Sequence, residues 1–162
     1  MRVRLFHMVL AVLQVSLATA VAAQDRKPPY WASIASGEAM TRAGPGRNYP
    51  GLWLYKRRDL PVKVLKVYEN WRLIEDPDGT RGWMLVSLMS SARTGLVKPG
   101  EPRAIHEKPA SASRVAYLAK PGVVGKIDRC DGNFCRFSVG TKVGWIAQQA
   151  VYGVRIGEAF ED

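Results

Sequence analysis

The clearest pattern in the chain is a run of apolar, mostly β-branched residues broken by charge. Val62, Val64, Leu65 and Val67 alternate with Lys63 and Lys66, as on a strand with one buried face. Further short strands are expected at 38–41, 71–75 and 82–85. Between them, Asp76-Pro77-Asp78-Gly79 supplies a proline that fixes φ and a glycine that accepts positive φ. Asp131-Gly132-Asn133 and Gly140-Thr141 mark later turns. Downstream of residue 24 no stretch sustains a helical period. The pattern therefore predicts an all-β chain of small barrels or sandwiches.

The strand pattern occurs twice. The stretch 55–71 aligns without gaps on 118–134, so that Leu60 falls on Val123, Val64 on Ile127 and Trp71 on Phe134. Upstream, Arg42-x-x-Pro45 matches His106-x-x-Pro109; downstream, Gly82-Trp83 matches Gly144-Trp145. Such a repeat implies two copies of one small unit. Proline and glycine at 99–102 place a boundary between them. The expected division is a leader at 24–37, a first domain at 38–98, a linker at 99–103, a second domain at 104–156 and a mobile acidic tail at 157–162.

The first residues belong to a different pattern. Arg2 and Arg4 precede an apolar run over 8–23, interrupted only by Gln14, Ser16 and Thr19 and ending in Ala20, Val21, Ala22 and Ala23. This is the layout of a secretory signal peptide, expected at 1–23. An uncleaved anchor would need about 20 apolar residues. The later chain has no run apolar enough to span a bilayer, so a soluble periplasmic or secreted protein is expected.

Charge narrows the partners. The formal net charge is +10, or +8 without Arg2 and Arg4. Such an excess favours anionic wall polymers or headgroups, and export argues against nucleic acid. It also serves solubility alone. Cys130 and Cys135 are the only cysteines. In an oxidising compartment a close pair most often forms a disulfide. A zinc site needs about four ligands, and His106 is the one histidine downstream of the apolar run. No metal or cofactor is expected.

Met40-Thr41-Arg42-Ala43-Gly44-Pro45-Gly46 resembles the opening motif of bacterial SH3 (SH3b) domains, apolar-x-Arg-x-Gly-Pro. Trp71 and Gly82-Trp83 stand where that family places an aromatic and a closing Gly-Trp-apolar. The second copy keeps Phe134 and Gly144-Trp145-Ile146 but carries His106 for the arginine and Lys108 for the glycine. The resemblance implies two tandem SH3-like barrels, each of about five or six short strands. It also resembles exported proteins with paired SH3-like domains, whose second domain carries a cysteine pair flanking the loop before the aromatic. Cys130 and Cys135 occupy those positions, opposite Val67 and Arg72 of the first copy. A staple there would add about 2 kcal/mol to a barrel with a small core.

The chemistry points to binding. A cysteine peptidase needs a thiolate and a histidine base, but only His106 is available and it holds a scaffold position of the repeat. Glu69, Glu75, Asp76 and Asp78 read as solvated turn carboxylates rather than a glycosidase pair. Gly44-Pro45-Gly46 lacks the Lys-Ser/Thr of a phosphate loop. A non-catalytic module is expected, with the aromatic-lined groove typical of SH3-type peptide recognition. The candidate ligand residues are Arg47, Tyr49, Trp53 and Trp71, while Trp83 and Trp145 are expected in the cores. The expected partner is peptidoglycan or another anionic envelope component, or alternatively an envelope protein.

Overall fold

The structure, a computed structural model, describes residues 26–161. The expected signal peptide lies outside the described residues. Two antiparallel sheets follow one another along the chain. The first is built from β1 (Tyr30–Ile34), β2 (Ala39–Arg42), β3 (Gly51–Tyr55), β4 (Pro61–Tyr68), β5 (Trp71–Glu75), β6 (Arg81–Leu85) and β7 (Met89–Ser90). The second is built from β8 (Thr94–Val97), β9 (Arg103–His106), β10 (Val115–Ala119), β11 (Val124–Asp131), β12 (Phe134–Val139), β13 (Lys142–Ala147) and β14 (Val151–Tyr152), with β15 (Ala159–Glu161) added on β11. Among the described residues no helix is long and apolar enough to cross a membrane.

The repeat extends to the hydrogen bonding. The first sheet runs β3-β2-β6-β5-β4-β1-β7, and advancing every strand by seven gives the second, β10-β9-β13-β12-β11-β8-β14. Arg42 pairs with Trp83 in one sheet and His106 with Trp145 in the other. Val67 faces Arg72 just as Cys130 faces Cys135. Each barrel closes on its own core. Ile34, Val62, Val64, Ile74 and Met84 fill the first, and Val97, Ile105, Ile127, Phe137 and Ile146 fill the second. Two such cores, rather than one shared one, suit copies of this size. The disulfide Cys130–Cys135 staples the second barrel alone.

Several segments fall elsewhere than the sequence placed them. Tyr30–Ile34, within the expected leader, is an inner strand of the first sheet, between β4 and β7. Thr94–Val97 leaves the first domain and pairs with β11 and β14 of the second. The junction is therefore the short segment 91–93. The Pro-Gly segment at 99–102 is the turn between β8 and β9, because these residues punctuate a turn within a domain as readily as between domains. Among the described residues the first sheet has seven strands and the second eight, more than the five or six expected, because the two-residue strands β7 and β14 and the added β15 also pair.

Trp83 and Trp145 are half-buried and lie outside the two core clusters. The period of two turns Gly82 and Met84 inward and Trp83 outward. The glycines of the Gly-Trp pairs are needed for close approach. A Cβ on Gly82 would stand 2.6 Å from the Thr41 Cβ, and one on Gly144 would stand 2.9 Å from the His106 carbonyl oxygen.

The barrels are fastened together. The Tyr152 hydroxyl donates to the carbonyl oxygens of Glu75 and Asp76, at 3.1 and 3.0 Å. Its ring meets Trp31 edge-on at 4.8 Å. The Thr94 hydroxyl donates to the Asp59 carbonyl at 2.8 Å, and Arg57 reaches the Gly122 carbonyl. Leu96 packs against the first core.

The tail, expected to be mobile, is docked as far as Glu161. Arg93 grips the Glu158 carboxylate with two hydrogen bonds of 2.9 and 3.0 Å, and its guanidinium lies over the Phe160 ring. Buried Gln148 donates to the Glu158 carbonyl and accepts from the Gly157 N–H. Burial alone would raise the Glu158 carboxyl; the Arg93 hydrogen bonds and the Arg155 N–H outweigh it and hold the group below its ordinary 4.5. A carboxyl depressed in the folded state adds stability that is complete above its unfolded value and fades as acid protonates the folded form. Docking of 159–161 is thus expected to hold at pH 7 and to loosen below about pH 4.5. Amide exchange of these residues at pH 7 and pH 3 checks it, and equal protection at both would refute the role given to Glu158.

Candidate functional site

Register defines an outer face on the first barrel. Tyr68 pairs with Trp71, and Trp71 with Leu85. In the next row Lys66 pairs with Leu73, Leu73 with Trp83, and Trp83 with Arg42. Met40, paired with Leu54, continues this face onto the β2–β3 hairpin. The opposite side of the same strands sends Val64, Ile74 and Met84 into the core. The outer face thus carries a broad apolar area, and part of it is open to solvent: Met40, Leu52, Leu54 and Tyr68 are all exposed.

Among the described residues β3 ends its sheet, with β2 as its only neighbour. Its residues 51–54 are exposed on both sides of the strand. Trp53 shares the side of its partner Thr41, whose buried hydroxyl donates to the Trp53 carbonyl at 3.3 Å. Trp53 is 58% exposed, because among the described residues no strand lies beyond β3. Tyr55, two residues on, turns inward. Its buried hydroxyl donates to the Asp76 carboxylate at 3.0 Å, and burial followed by that carboxylate pushes the phenol upward. Asp76 is therefore a buried acceptor, not the solvated turn carboxylate expected. Its second oxygen takes the N–H groups of Asp78 and Thr80 at 3.0 and 2.8 Å.

The loop 43–50 closes the hairpin. The Arg42 guanidinium crosses it to donate to the Tyr49 carbonyl at 2.8 Å, and the Ala43 N–H donates to the Pro50 carbonyl. The Tyr49 ring lies directly over Gly44, where any side chain would collide with it. The Arg-x-Gly-Pro motif thus has a physical role: arginine braces the loop and glycine seats the aromatic ring. In the second barrel His106 does the arginine's work. Its Nδ1 donates to the Ser113 carbonyl at 2.9 Å, seven residues on, as Tyr49 is from Arg42.

Three of the four candidate ligand residues come together on this hairpin. Arg47 and Tyr49 occupy the exposed loop and Trp53 the edge strand. Trp71 does not join them at the surface. It is 7% exposed, on the outer face in the cross-strand row between Tyr68 and Leu85, one strand in from the exposed Tyr68. Sequence reasoning missed Met40, Leu52 and Leu54. Their signal is the run Leu52-Trp53-Leu54, apolar without alternation in a strand too short and too exposed to be a core strand.

The second barrel presents a different surface in the same place. Arg129, Arg136, Trp145 and His106 form the row that in the first barrel is Lys66, Leu73, Trp83 and Arg42. Arg136 is paired with Asp128 at 2.9 Å and Arg129 with Glu161 at 3.2 Å. Ala104 and Ala147 stand where the first barrel has Met40 and Leu85.

No curated protein matches the chain. Among solved structures the chain is similar to NlpC2 of Trichomonas vaginalis, at 13% identity and TM-score 0.34, over 76% of this chain and 48% of that one. NlpC1 of the same organism has 12% identity and TM-score 0.33, over 80% and 48%. An NlpC/P60 family protein of Bacillus cereus has 10% identity and TM-score 0.34, over 75% and 55%. The chain spans about half the length of these proteins. The family model for the bacterial SH3 domain matches twice, at residues 35–90 and 100–153, one match falling on each barrel. The two matches take in most of the chain, and the chain belongs to the bacterial SH3 domain family.

Proposed function

We propose that this protein is a non-catalytic, extracytoplasmic binding module whose first barrel takes a cell-wall peptide on its exposed β2–β3 hairpin. One observation carries the reading. Of the twelve strongly exposed large apolar side chains among the described residues, eight belong to the first barrel, and five of those lie on the β2–β3 hairpin and its loop. Apolar area concentrated in this way marks an interaction site. Trp53 and Tyr49 supply flat contact surface. Arg47 supplies a cation for an anionic group of the ligand. The second barrel, whose outer face is charged and internally paired, supports the first. The disulfide fits an oxidising compartment. The braced His106 and the bonded cysteines favour binding over catalysis.

Co-sedimentation of residues 24–162 with purified peptidoglycan sacculi, at low and high salt, tests this. Retention is expected to survive high salt and to fall roughly tenfold or more in Trp53→Ala, as for a central aromatic contact. Retention that vanishes with salt would leave only the basic surface at work. Absence of binding at low salt would assign the face to a protein partner.

A further inference from the structure

A second recessed site lies between the barrels and shares no residue with the hairpin face. It is a cleft of about 420 Å³, within the range of small-ligand sites. Pro29, Tyr30, Trp31 and Lys63 line it from the first barrel, and Val154 and Arg155 from the second. Its wall comes from both cores' neighbours: β1 carries the aromatics, and the chain leaving β14 carries Val154 and Arg155.

The charge inside is one-sided. Lys63 and Arg155 face the cleft from opposite barrels, and neither has a carboxylate ion-pair partner among the described residues. The nearby carboxylates are engaged: Arg93 holds both oxygens of Glu158, which also accepts the Arg155 N–H, and Arg81 holds Glu75, the cross-strand partner of Lys63. The Lys63 ammonium lies 5.9 Å from the centre of the Trp31 ring, so the cation and the aromatic surface are presented together. The rest of the lining, Pro29, Tyr30 and Val154, is apolar or amphipathic. Two cations lining one cleft suit one small anion, which can gain charge-assisted hydrogen bonds from both. An apolar and aromatic surround suits a body that is not itself charged.

We propose that this inter-barrel cleft binds the terminal carboxylate of a short peptide with an apolar last side chain. Lys63 and Arg155 hold the carboxylate, and Trp31 with Val154 covers the apolar side chain. Because the two cations come from different barrels, the site exists only when the barrels are docked as described above. The proposal does not depend on wall binding by the hairpin.

Calorimetric titration with acetyl-Ala-Leu as the free acid, and with its C-terminal amide, tests it. The acid is expected to bind at least tenfold more tightly than the amide. Arg155→Glu, a change at an exposed side chain, and Lys63→Met are each expected to weaken the acid at least tenfold and to leave the amide unchanged. Trp53→Ala is expected to bind the acid as the unaltered protein does, which separates this site from the hairpin face. Equal affinity for acid and amide, no binding of the acid at millimolar concentration, or indifference to Arg155→Glu would overturn the proposal. Displacement of the acid by an equal concentration of inorganic phosphate would overturn the peptide assignment.

Discussion

Replacing Phe137 with alanine is expected to unfold the second barrel at concentrations of urea that leave the unaltered protein folded. Phe137 is the largest fully buried side chain. Its ring lies flat against the backbone of Gly125 on the neighbouring strand, where a Cβ would stand only 2.5 Å from the ring's Cζ. Phe137 belongs to the core cluster with Ile105, Ile127 and Ile146, so its loss leaves a cavity in the middle of that core. Removal of a buried phenyl ring costs about 3–5 kcal/mol. A barrel of this size has a stability of about the same magnitude. The disulfide remains and limits the unfolded chain, yet it closes only the short β11–β12 loop. Urea denaturation followed by tryptophan fluorescence measures the loss. A shift worth less than about 1 kcal/mol would show that the ring is not packed as described.

The second large effect is expected at Asp76→Ala, and it falls on the other barrel. This carboxylate accepts three hydrogen bonds, from the N–H groups of Asp78 and Thr80 and from the Tyr55 hydroxyl. Alanine would leave the Tyr55 hydroxyl buried without a partner and release the β5–β6 turn. Loss of a charged acceptor from buried donors costs about 3 kcal/mol. The damage should reach the junction as well, because the carbonyls of Glu75 and Asp76 receive the Tyr152 hydroxyl from the second barrel. Asp76→Asn, which keeps one acceptor oxygen, is expected to recover part of the loss. The comparison of Ala and Asn in the same denaturation experiment separates the hydrogen bonds from the mere presence of a side chain. Equal stability of the two variants would contradict this account.

Much of the fold could be read before the structure. Val64 and Ile127 announced the two cores because their period and their place in the repeat agree. The Arg42 and His106 positions, matched only by spacing, turned out to brace equivalent loops. What could not be read was which copy each strand belongs to. Thr94–Val97 is short, and its pairing with β11 and β14 is a long-range choice that local pattern does not encode. The tail was misjudged for a related reason. Its acidic residues look solvated in sequence, but Arg93, far away in the chain, reaches Glu158 and holds it. Among the candidate residues, residue type named Tyr49, Trp53 and Trp71 alike but could not sort exposed from buried rings. Trp71 lies one strand away from the edge of its row, with neighbours on both sides, and so is covered; Trp53 lies on the last strand and is not.

The junction of residues 91–93 has a further consequence. A flexible tether would let two modules search for their targets separately, at a local concentration set by its length. Here the connection is too short to act as a tether, and the Tyr152, Thr94 and Arg57 contacts fix the angle between the barrels. The two barrels are therefore held at one fixed spacing. A ligand that touched both barrels would have to match that spacing, and one that did not would gain nothing from a second contact.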